Sequence, residues 1–187
     1  MKIFINPGHM PGVDSGAVNP VSGLRECDVA KKVGELVEYY LQSAGCSTML
    51  LQSNNLCGEE PKDFNICASA NAWQADLFVS LHCNSFNTYA RGIETLVFDL
   101  SSTAARLAGC IQRQLVSTAQ NIDSTVIDRG LKQRNDLAVL KYTDMPAVLV
   151  EMGFIDNDFD VVLLENNQDD LARAIARGVT DYMRGDK

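Results

Sequence analysis

Apolar residues along this chain fall into two rhythms. Short, largely apolar runs at 3–5, 77–81 and 147–150 are bounded by polar or turn residues and read as strands buried on both faces. In 24–44, by contrast, Val29, Val33, Leu36, Val37, Tyr40 and Leu41 recur at three and four, the stripe of an amphipathic helix stopped by Gly45. The spacing predicts a second strand over 47–52, a loop over 53–63 containing Gly58 and Pro61, and a short alanine-rich helix over 65–73. The link 84–91 is too short for a helical crossover, so the strand over 93–98 runs antiparallel to its predecessor or makes an unusual connection. Further helices are predicted over 101–118, capped by Ser101 or Ser102, over 157–165 and over 168–183, with a short strand at 137–141 and a polar, irregular stretch at 119–136. Alternating strands and helices indicate a three-layer α/β/α sandwich on a mostly parallel, twisted sheet of about six strands. With no linker visible, 1–187 reads as one domain.

What closes the three buried runs gives the pattern chemical meaning. The first continues through Asn6-Pro7-Gly8 to His9, the second ends on His82 and the third on Glu151; the chain has two histidines in all. Parallel strands place their ends at one edge, where an open α/β sheet keeps its site. Residues 10–23, with three glycines and two prolines, form a loop beside that edge, and Glu26 opens the helix behind it. Two imidazoles and a carboxylate make a zinc set with room for water. Each part also has a plainer reading. A single histidine beside a glycine is commonly a hydrogen-bonded loop residue, and a carboxylate in a first helical turn is favoured by the helix dipole whatever the function. Glu151 is harder to explain away, because a carboxylate ending an Ala-Val-Leu-Val run needs a cation or donors to meet it. Periodicity leaves open which carboxylate serves a metal.

Composition narrows the field. The chain of 187 residues is 46% apolar and carries a net charge of −8, with its acidic residues dispersed. No Lys/Arg-rich run supplies the footprint that nucleic acid requires, and no apolar run approaches the roughly 20 residues of a membrane span. Six cysteines form no C-x-x-C pair, and a core of this size does not need disulfides, so reduced thiols are expected. Lys2 leads directly into the first strand, leaving no signal peptide in this chain. Gly12-Val13-Asp14-Ser15-Gly16 misses the G-x-S-x-G spacing, Ser80 two residues before His82 reads as an ordinary neighbour, and no glycine loop fits a dinucleotide or P-loop. Cys83 falls on the strand face opposite His82.

These residues resemble the zinc-dependent N-acetylmuramoyl-L-alanine amidases of the amidase 3 type. The likeness covers essentially the whole chain: Asn6-Pro7-Gly8-His9 with Asp14 and Gly16-Ala17, Glu26 opening the helix, Ala70-Asn71, the stretch 75–84 through His82, Gly92-Ile93-Glu94-Thr95, and the stretch 146–155 through Glu151. The resemblance implies that His9, Glu26 and His82 bind Zn2+ and that Glu151 is the catalytic carboxylate. It also implies the scissile bond, the amide between N-acetylmuramic acid and the L-alanine of the stem peptide in peptidoglycan. Cys83 and Met152 stand where the family favours smaller residues, outside the ligand set. Asn84, Arg129 and Gly130 are candidates for the substrate groove, against ordinary loop polarity, and Glu94 falls in a strand near the site where it either faces substrate or is held at a helix-covered strand edge.

The resemblance implies action at the bacterial cell wall; a monomer is expected, and the missing signal peptide fits a phage lysin, a signal-less host enzyme or an excised catalytic domain. Two rivals stand beside it. The same metal set could hydrolyse another amide, as in a carboxypeptidase or deacetylase. The fold could also serve as a non-catalytic wall-binding or regulatory module, although all four key side chains are present.

Overall fold

The computed structural model describes residues 1–57 and 65–185. Gly58 and Pro61 of the predicted loop lie outside them. In chain order the elements are β1 (Lys2–Pro7), α1 (Glu26–Ser43), β2 (Ser47–Leu50), α2 (Ile66–Ala72), β3 (Leu77–Asn84), β4 (Ile93–Val97), α3 (Thr103–Ile122), β5 (Asp128–Gln133), α4 (Ala138–Lys141), β6 (Ala147–Phe154), α5 (Asp160–Asn166) and α6 (Gln168–Arg184). The strands form one sheet in the order β2-β1-β3-β6-β4-β5. The first four are mutually parallel; β4 lies antiparallel to β6, and β5 runs parallel to β4.

Alternation along the strands separates two apolar layers. Ile3, Ile5, Val79 and Leu81 join Val29, Val33, Val37 and Leu41 of α1 and the buried faces of α3 and α6. Phe4 and Phe78 point the other way, their rings stacked 5.4 Å apart, against Ile66 and Ala70 of α2 and Val139 of α4. The three-layer sandwich expected from the sequence is thereby present. Among the described residues no helix is long and apolar enough to cross a membrane. Cys27, Cys46 and Cys83 are buried free thiols.

Several local expectations are corrected. The 137–141 segment, expected as a strand, is the short helix α4, because Val139 and Leu140 turn onto the sheet face rather than into a ladder. The stretch 119–136 is not irregular throughout: it takes in the end of α3 and holds β5, an edge strand with none of its residues fully buried and a single apolar side chain, Leu131. Ser102 is the N-cap of α3, but its hydroxyl donates to the Asp99 carbonyl instead of capping the helix. β4 does run opposite to β3, yet the two are not neighbours, since β6 inserts between them.

Candidate metal centre

The C-terminal ends of β1, β3 and β6 are adjacent, and they bring the expected side chains together. Gly8 continues β1 by donating its N–H to the Leu81 carbonyl at 2.8 Å, after which His9 turns back with φ 59°. A non-glycine residue held there costs about 1–3 kcal/mol and needs a surrounding structure that fixes it. Asp14 is part of that structure: its Oδ2 lies 2.6 Å from His9 Nδ1, and its Oδ1 accepts the Gly16 N–H at 3.0 Å. Beneath the turn, Ser80 donates to Asn6 Oδ1 at 2.9 Å, so the serine near His82 is a buried fastener between strands.

Glu26 opens α1 and is buried. Its Oε2 accepts the Ala17 N–H at 2.9 Å and lies 3.2 Å from His9 Nε2. Its Oε1 accepts the Cys83 N–H at 3.0 Å and lies 2.9 Å from His82 Nδ1. A carboxylate placed only for the helix dipole would face solvent; this one is drawn inward by four partners. The ligand atoms of His9, Glu26 and His82 all lie within 4.8 Å of one another. The two imidazoles meet edge to face, with ring centroids 5.1 Å apart. At two positions in the turns around them only glycine fits. A Cβ on Gly8 would fall 2.3 Å from His82 Cε1, and one on Gly16, at φ +64°, would fall 2.5 Å from His9 Cδ2.

The charges follow from these contacts. Burial alone would raise the Glu26 pKa, but hydrogen bonds from His82 and His9 outweigh it and hold the carboxyl well below its ordinary range. Against burial, which works the other way, the Glu26 hydrogen bond chiefly and Asp14 after it raise His9 to about 9. The donor set therefore fits a divalent cation, which would take the place of the protons now shared between carboxylate and imidazole.

Glu151 lies opposite His82 in the β3–β6 register and opposite Glu94 in the β4–β6 register. Among the described residues its Oε2 is buried and has no hydrogen-bond partner. Burial raises its pKa to about 7; His82 opposes the shift, and Glu26 and Glu94 add to it. Beside the centre a cavity of about 160 Å³ is walled by His9, His82, Ser53, Asn54, Leu137 and Val139, among others.

The three groove candidates are tied to one another through Glu94. Asn84 Nδ2 donates to Glu94 Oε1 at 3.0 Å, and Arg129 Nε donates to Glu94 Oε2 at 2.8 Å. Ile93 pairs with Asp128 and Glu94 with Gly130, so Arg129 is the extra residue of a bulge, and Gly130 takes the positive φ of 71° beside it. Such bulges re-aim a side chain. Here the guanidinium lies 5.0 Å over the Phe154 ring. The role of Asp14 in fixing His9 was not anticipated from the sequence, although an aspartate between two glycines of a site loop was the available signal.

Comparison with known proteins is consistent with this arrangement. Residues 3–181 match the family model described as N-acetylmuramoyl-L-alanine amidase. The uncharacterised protein YqiI of Bacillus subtilis is 40% identical over 186 residues, covering 96% of this chain and 84% of that protein. The N-acetylmuramoyl-L-alanine amidase LytC of the same species is 36% identical over 187 residues; the match takes in 97% of this chain and spans 35% of LytC. Among solved structures, the N-acetylmuramoyl-L-alanine amidase AmiC2 of Nostoc punctiforme shares the fold with a TM-score of 0.81 and 28% identity, over 98% of this chain and 97% of that one. With a family match running almost from end to end and a shared fold, the chain belongs to the N-acetylmuramoyl-L-alanine amidases of the amidase 3 family.

Proposed function

We propose that this chain hydrolyses the amide between N-acetylmuramic acid and L-alanine in peptidoglycan, with zinc held by His9, Glu26 and His82 and with Glu151 moving the proton. The observation that carries the reading is the convergence of those three donor side chains beside a buried carboxylate oxygen that has no partner among the described residues. When bound, zinc supplies Lewis acidity, bringing the pKa of a water toward about 7 and drawing charge from the amide carbonyl.

The chain's own residues account for the rest. The Asp14 carboxylate accepts from His9 Nδ1, which fixes the tautomer whose Nε2 lone pair faces Glu26 and the metal position. Glu26 stays ionised and is anchored by the Ala17 and Cys83 N–H groups, so it need not reorganise on loading. Glu151 Oε2 takes a proton from the attacking water as the new C–O bond forms. It returns that proton to the alanine nitrogen as the C–N bond breaks, which leaves a lactyl carboxylic acid and a free amine. A pKa near neutrality suits a group that must both accept and donate. We assign Asn84, Arg129 and Gly130, joined through Glu94 on the β4 side of Glu151, to contact with the stem peptide or glycan. The chain is taken to work as a single catalytic unit, as a monomer, at the bacterial wall.

The test is digestion of purified muropeptides together with elemental analysis. The expected result is about one zinc per chain and a new free L-alanine amino terminus on an intact glycan, abolished by chelation. Release of a C-terminal amino acid would mark a carboxypeptidase, and release of acetate a deacetylase.

A further inference from the structure

The sheet edge carries a second feature that the amide chemistry does not use. The loop between β3 and β4 holds Phe86 78% exposed and Tyr89 86% exposed, and Phe159, in the turn after β6, is 62% exposed. Leaving a large ring in water forgoes about 1.5–3 kcal/mol of burial each time, and a slack loop would fold such rings onto the surface. This loop is fastened from below. Asp156 Oδ2 accepts the N–H groups of Phe86 at 3.1 Å and Thr88 at 3.0 Å, and Asn157 Nδ2 donates to the Thr88 carbonyl at 2.8 Å. Asp156 and Asn157 are themselves buried, and Asn157 Oδ1 also accepts the Phe159 N–H at 3.1 Å, so one side chain sets the positions of both loops. The same segment reaches toward the metal corner: the Ile155 N–H donates to the Asn84 carbonyl at 2.8 Å, and the Ile155 carbonyl accepts from Asn19 of the 10–23 loop at 2.7 Å. The rings are therefore presented on a scaffold continuous with the strand ends that carry His82 and Glu151.

We propose that Phe86, Tyr89 and Phe159 form a stacking platform for the sugar rings of a glycan strand passing along the sheet edge beside the metal centre. The identity of this occupant rests on the peptidoglycan reading above. A pyranose presents a face of C–H bonds whose positive hydrogens meet the negative face of an aromatic ring, a contact that needs no charge. Charge disfavours the alternatives. Arg91, the cation packed 4.7 Å over the Phe159 ring, is already paired with Asp123 at 3.2 Å and Asp160 at 3.4 Å. The cation packed on this platform is thus already met by two carboxylates, which disfavours an anionic lipid or an acidic peptide on a chain whose net charge is −8. A second copy of the chain is disfavoured by area: three rings offer roughly 500 Å², short of the roughly 800 Å² per partner in a stable interface.

The probe is isolated glycan strands stripped of their stem peptides, titrated against the full chain at physiological ionic strength. Replacing both loop rings, Phe86→Ala with Tyr89→Ala, is expected to weaken binding about tenfold without moving the melting temperature, since both side chains stand in solvent. Tyr39→Ala, which removes an exposed ring on α1, is expected to leave binding as it was. Equal binding by the double variant and the parent overturns the proposal. So does absence of glycan binding by the parent, or a concentration-dependent dimer that the double variant loses. Because binding to peptide-free glycan is read without turnover, a chain that binds strands but leaves muropeptides uncut would overturn the amidase reading and keep the platform.

Discussion

The two carboxylates at the sheet edge stand in opposite surroundings. At the β1–α1 corner, Glu26 is buried and met by two backbone N–H groups and two imidazoles. At the β6–β4 corner, Glu151 has a buried oxygen that no donor among the described residues meets, with Glu94 opposite it across the ladder. Burial acts on both, but the first is held ionised and the second is raised to about 7. The number of donors, not the depth, separates them. A carboxylate saturated with donors is built to hold a cation, and one starved of donors is built to exchange a proton.

The largest effect that would break this contrast is at Glu151. Glu151→Gln keeps the shape and removes the exchangeable proton, so turnover should fall by about 10²–10⁴-fold while zinc content stays at the parent level. Activity near that of the parent would remove Glu151 from the chemistry. At the other corner, Glu26→Ala should lose zinc first and activity with it, by more than the roughly 10–100-fold typical of an outer-shell partner. Unchanged zinc affinity with a lowered melting temperature would return Glu26 to a helix-opening role. Asp14→Ala, which frees the outer nitrogen of His9, should weaken zinc by about 10–100-fold with little change in fold. Competition with a chromogenic chelator measures both.

The same contrast explains what the sequence made legible. The three inner strands β1, β3 and β6 are parallel and buried, so they appear as apolar runs and their functional residues as the polar residues that close them. His9, His82 and Glu151 could be placed at one edge on that ground alone. The β4–β5 half gives weaker signals. β5 is an edge strand with Asp, Arg, Lys and Gln among its six residues, and its pairing comes from β4 rather than from its own pattern. The bulge that turns Arg129 onto Glu94 depends on a register shift between two distant strands, which no local spacing encodes. The helix α4 differs from the expected strand because four residues cannot establish a period. The donors to Glu26 were equally hidden, since the Ala17 and Cys83 N–H groups reach it across nine and 57 residues of chain.

The smallest predicted effect separates the corners by pH in the metal-free chain. His9, raised from 6.5 to about 9, binds its proton more tightly folded than unfolded. The stability it contributes is complete below pH 6.5 and is lost as pH rises through about 9. Glu151, raised from 4.5 to about 7, has the same sign in a lower window: the folded state disfavours its ionisation, so stability falls between pH 4.5 and about 7. Glu26 has the opposite sign, because its lowered pKa gives stability present above pH 4.5 and lost as pH falls toward its folded value. Chelated protein should therefore melt at progressively lower temperature from pH 5 to pH 9, in two overlapping steps. Glu151→Gln should erase the lower step and His9→Gln the upper. Thermal melts of the three proteins across that range decide the matter, for if both substitutions erased the same step, the two corners would titrate as one unit and the division of labour between Glu26 and Glu151 would fail.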